Sequence, residues 1–130
     1  TVAEVAHAEH LSRITILTSG APETIDQIHH QLERLVPVHQ VTDLTMSMRS
    51  LERELAMVKV KGRGDHRTFA LQLAEAFRAR IVDATTESFI FELTGKPHKI
   101  DEFIDLMRPI GLVEVSRTGV AAISRGPDPI

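Results

Sequence analysis

The chain contains no cysteine, tryptophan or tyrosine. Without cysteine there is no disulfide scaffold, no zinc ribbon and no thiol nucleophile. A reducing cytosol suits such a sequence. No apolar run approaches the length of a membrane-spanning helix, so no membrane partner is expected. The first stretch has neither a basic region nor an apolar signal core. A formal net charge of −3 gives no electrostatic case for binding nucleic acid or an anionic surface. Catalytic signatures are missing as well: there is no P-loop, no dinucleotide-binding glycine fingerprint, no Gly-x-Ser-x-Gly elbow and no His-Glu-x-x-His helix. No catalytic residue is assigned.

The aromatic residues that do occur are unevenly placed. All five phenylalanines lie at or beyond Phe69, so only the later part of the chain has aromatic filling for a core. Charge is uneven too: of fifteen basic and eighteen acidic residues, three and six fall in the first fifty. At 130 residues and 42% hydrophobic content, the chain suits one domain or two small ones.

Apolar spacing marks three helices. Ile25, Ile28, Leu32 and Leu35 form a helical stripe after Pro22, with Glu23 suited to the positive helix end. Ile100, Phe103, Ile104 and Met107 repeat this design after Pro97, and Pro109 with Gly111 is expected to end it. A third helix, from Asp65 to about Ala79, is expected to present Phe69, Leu73, Ala76 and Phe77 on one face, with Asp65 as its cap. Phe69 and Phe77 should then meet Phe89 or Phe91. Alternating runs around Ile14 and Ile16, Val36 and Val38, Leu55 to Val60, Phe89 to Leu93, and Val113 and Val115 read as strands.

In order, residues 52–117 give strand, helix, strand, strand, helix, strand, a complete ferredoxin-like βαββαβ unit. Residues 1–46 give strand, strand, helix, strand, the same unit without its first strand and first helix. The expected class is therefore α+β: residues 1–46 a partial unit, 47–51 a linker, and 52–130 the second domain. An internal repeat supports this. Ser12, Ile14, Leu17 and Thr18 are echoed 76 residues later by Ser88, Ile90, Leu93 and Thr94. Pro22, Ile25, Asp26, Ile28, Leu32 and Leu35 match Pro97, Ile100, Asp101, Phe103, Met107 and Ile110 at a spacing of 75. A three-stranded partial unit without aromatics would need covering by further chain, by a second copy or by another protein.

Ligand candidates are few. His7 and His10 flank an expected hairpin beside Glu9, a set that could hold a metal. A solvated turn is the favoured reading, because no fourth ligand is specified, and no metal site is assigned. His29 and His30 are neighbours on a helix, pointing in different directions from an exposed face. Lys59, Lys61, Arg63 and Arg67 surround two glycines and could meet a phosphate or an acidic surface. They read more simply as a solvated strand end and turn. An RNA-binding sheet would need exposed aromatics after Lys61-Gly62-Arg63-Gly64, and the next aromatic is Phe69.

Seven segments, taken together, resemble one family. ERELAMVKV (52 to 60), FRARIVDAT (77 to 85), LTGKPHKIDEF (93 to 103), VSRTGV (115 to 120) and ISRG (123 to 126) are similar to the small subunits of acetolactate synthase. LSRIT (11 to 15) and DQIHHQLERLV (26 to 36) resemble the end of that family's ACT domain. The resemblance implies a cytoplasmic, non-catalytic regulator that pairs through ACT domains and binds a larger catalytic subunit. It implies that the regulator activates that subunit and confers inhibition by valine or related branched-chain amino acids. Thiamine diphosphate, magnesium and FAD then belong to the catalytic partner, with no cofactor in this chain. The family holds its effector chiefly by a glycine-containing loop after the first ACT strand, helped by an Asn at the start of the second. Thr1 resembles a position just after that Asn, so the principal effector residues are expected before Thr1 and none is assigned. The competing reading, a free-standing ferredoxin-like module binding a small molecule or a protein, requires the seven segments to be coincidental.

Overall fold

The computed structural model describes residues 2–4, 11–45 and 50–128. By compactness the chain divides into Thr1–Leu51 with Ala122–Ile130, and Glu52–Ala121.

In the first unit, β1 (Val2–Glu4) pairs antiparallel with β2 (Ser12–Ile14), Val2 opposite Ile14. Helix α1 (Pro22–Glu33) starts as expected, with proline in its first turn and Glu23 beside it. None of its residues is buried. Ile25, Ile28 and Leu32 are half-buried, and Ile14, Leu17 and Val36 are exposed. The strand expected at Val36 and Val38 is absent: Val36 and Pro37 lie in a turn, and Val38 follows it without pairing. Pro37 has no N–H to give a ladder, which removes the middle residue of that strand.

The second unit is the complete one. β3 (Ser50–Lys61), α2 (Asp65–Ala76), β4 (Arg80–Ala84), β5 (Ser88–Gly95), α3 (Pro97–Gly111) and β6 (Leu112–Arg117) follow the βαββαβ order. The antiparallel sheet runs β4-β5-β3-β6, and β7 (Ala121–Ser124) is a strand the sequence reading lacked. Val58 sits opposite Phe91 on one side and Val115 on the other.

Strict alternation decides which face is covered. Ala56, Val58 and Val60 of β3 and Phe89, Phe91 and Leu93 of β5 are buried against Ile100, Phe103, Ile104, Met107 and Ile110 of α3. Phe103 is the hub, 5.4 Å from the Phe77 ring and 6.1 Å from Phe91, edge to face with the latter. Full burial of one such side chain contributes about 1.5–3 kcal/mol.

Two expectations fail inside α2. The buried residues are Ala70 and Ala74, with Leu73 and Phe77 beside them, whereas Phe69 is 48% exposed and Ala76 is exposed. Two alanines one turn apart present little bulk, and the helix uses them to approach the sheet. Asp65 is the first helical residue, and the cap position belongs to Gly64, whose φ of 61° suits glycine. With Pro109 inside its last turn, helix α3 ends as expected at Gly111. There φ is 142°, and a Cβ would strike the carbonyl of Lys61.

Candidate functional site

Glu54 is the misfit in the buried face of β3. The alternation that buries Ala56, Val58 and Val60 also buries Glu54, leaving it 5% exposed. A carboxylate taken out of water must be paired and hydrogen-bonded, or its burial is costly. Arg117 meets that need. It ends β6 directly opposite Ala56, which puts it diagonal to Glu54 across the ladder. Its Nε donates to Glu54 Oε1 at 2.7 Å and its Nη2 to Oε2 at 2.9 Å, the two-pronged fork an arginine offers a carboxylate. Nη1 donates to Asp101 Oδ1 at 2.6 Å, on the first turns of α3. The hydrogen bond to Glu54, then that to Asp101, holds the guanidinium proton more tightly than in a free arginine.

Thr118 continues the clasp. Its N–H donates to the Leu55 carbonyl at 3.0 Å, and its hydroxyl oxygen accepts from the Leu55 N–H at 3.1 Å. The hydroxyl proton has two acceptors within reach, the carbonyls of Gly119 and Leu55. Arg117 and Thr118 therefore fasten the end of β6 to the start of β3 and to α3. The charged groups in this cluster orient one another, an arrangement that holds structure.

The expected ligand candidates are dispersed. His7, Glu9 and His10 lie outside the described residues. The rings of His29 and His30 lie edge to face, 6.0 Å between centres, and of the two only His30 is exposed. His29 is half-buried, and its Nε2 meets Glu33 Oε1 at 2.7 Å. Among the described residues, no group of three histidines or carboxylates could hold a metal.

The basic cluster does not converge on one point. Lys59 pairs with Glu114 at 2.9 Å, and Arg63 pairs with Glu87. Arg67 donates to the Thr85 carbonyl at 2.9 Å while lying 4.0 Å from the Phe89 ring centre. Phe89 and Phe91 face the helices and are buried, so bases could not stack on them. No helix among the described residues is long and apolar enough to cross a membrane.

Sequence reading missed the Glu54–Arg117–Asp101 group. One signal was present: a glutamate in register with buried alanine and valine demands a partner. Nothing in the sequence said which arginine.

Comparison with known proteins bears on the same residues. The family described as the small subunit of acetolactate synthase matches residues 53–126. A probable acetolactate synthase small subunit from Archaeoglobus fulgidus is 42% identical over 118 residues, 91% of this chain and 73% of that protein. The acetolactate synthase small subunit of Bacillus subtilis is 37% identical over 125 residues, 94% of this chain and 72% of its own length. In three dimensions the chain is similar to the crystal structure of the small subunit from Thermotoga maritima. The TM-score is 0.82 at 37% identity, covering 98% of this chain and 79% of that one.

Proposed function

This chain belongs to the acetolactate synthase small-subunit family, and from that premise we propose that it is a non-catalytic regulator of a catalytic large subunit. It binds that subunit, raises its rate of acetolactate formation and makes it responsive to valine or a related branched-chain amino acid. It works in the cytoplasm. It pairs with a second copy through the first unit, which is of ACT type. Thiamine diphosphate, magnesium and FAD are held by the catalytic partner.

The observation that carries this reading is how the second unit uses its polar groups. Over the residues that match the family, Arg117 is committed to Glu54 and Asp101, Lys59 to Glu114, and Arg63 to Glu87. A general base or nucleophile needs a group released from structural duty and aimed at a cleft. Here Arg117 ties strand to strand and strand to helix, Lys59 ties β3 to β6, and Arg63 joins two loops, as befits a domain that presents a surface. The first unit supports the regulatory reading in a second way. Its helix α1 buries no residue, so its apolar stripe is available to be covered on assembly.

Co-purification tests the proposal. A tagged chain should bring down a thiamine-dependent synthase subunit in fixed ratio. Failure to bind any such subunit, with the chain folded by circular dichroism, would favour the free-standing module.

A further inference from the structure

Strand β4 ends the sheet, and all five of its residues are exposed. Among the described residues it has a sheet neighbour on one side only, so its outer backbone groups offer a template for another strand. Ile81 and Val82 on this edge are 50% and 48% exposed. The guanidinium of Arg80 is accessible as well: its side chain is 80% exposed, and its ion pair with Glu92 is long, at 4.0 Å.

The pairing of β4 with β5 slips between Ile81 and Asp83, making Val82 an extra residue. That slip changes which side chains share a face. Arg80 lies opposite Glu92 and Asp83 opposite Ile90, both on the face away from the helices, while Ile81 lies opposite buried Phe91. In a regular strand, residues three apart point to opposite faces. The bulge puts Arg80 and Asp83 on the same one.

Two copies of a strand related by a twofold axis perpendicular to the sheet must pair residues that share a face. With the axis between Ile81 and Val82, Arg80 of each copy meets Asp83 of the other. Opposite charges meet twice, once on each side of the axis. From this self-complementarity we infer that the β4 edge is a contact between two copies of this chain, joining their second units into one continuous sheet. It is separate from the pairing proposed for the first unit.

Charge reversal tests it on the intact chain. Arg80→Asp places two aspartates in opposition at each contact, and Asp83→Arg places two arginines there. By sedimentation equilibrium each single variant should associate about tenfold more weakly, since two attractive cross-strand pairs become repulsive. The double variant R80D/D83R restores both pairs and should recover. So should an equimolar mixture of the two single variants, each supplying the charge the other lacks. A general loss of stability would not be rescued by mixing. Single variants that associate like the parent would overturn the inference. So would a mixture that fails to recover while its components melt like the parent. Should either reversal melt early, Arg80→Gln and Asp83→Asn replace it, and unchanged association in both overturns the inference. A parent chain that stays monomeric at millimolar concentration also overturns it, in favour of a strand from a different protein.

Discussion

Arg117 grips Glu54 through two parallel hydrogen bonds of 2.7 and 2.9 Å, across 63 residues of chain. Replacing Arg117 by alanine leaves a carboxylate in the buried face of β3 without its partner. The expected cost is roughly 3 kcal/mol, the lower end for a broken buried pair, because Arg117 itself is partly exposed. Arg117→Lys keeps the charge but loses the fork and should recover only part of this. Urea unfolding of both variants measures it. A loss below about 1 kcal/mol for the alanine variant would mean that Glu54 is satisfied in some other way.

Phe103 is fully buried between Phe77 and Phe91, while Phe69 is half exposed. Phe103→Ala should cost roughly 3–5 kcal/mol. Phe69→Ala should stay within about 0.5 kcal/mol, as for surface substitutions generally. Equal losses would show that the face of α2 is misassigned.

That face illustrates what a sequence conceals. Phe69 and Ala70 are adjacent, and a helical stripe can be drawn through either. Hydrophobicity favours the phenylalanine, but the sheet accepts the face that lets the backbone come close. By contrast, the strand order of the second unit was legible, because alternation around Val58 and Phe91 is strict and phenylalanines mark the covered side. The repeat of strand, strand and helix in the first unit was legible for the same reason: its apolar periods match those of the second. The clasp was half legible. Glu54 announced itself among alanine and valine, but its partner is fixed by the β3–β6 pairing, which no local pattern encodes.

Gly111 ends α3 with a positive φ, pressed against the Lys61 carbonyl at the end of β3. Gly111→Ala should therefore destabilise by more than about 1 kcal/mol, through both the backbone conformation and the clash. Gly64, also at positive φ, has open space around a Cβ, so Gly64→Ala meets only the backbone penalty and should cost less. Thermal denaturation of the two variants compares them directly. A Gly111→Ala variant as stable as the parent would show that α3 and β3 do not approach this closely.

Regulation by a non-catalytic chain makes its sharpest prediction in a single assay of acetolactate formation from pyruvate. The catalytic large subunit is supplied with thiamine diphosphate, magnesium and FAD, with and without this chain. The chain should produce no acetolactate by itself, should raise the rate of the large subunit when added, and should make that rate fall on addition of valine or a related branched-chain amino acid. Pyruvate condensation by the chain alone, or a large subunit whose rate and effector response are unchanged by it, would contradict the regulatory function.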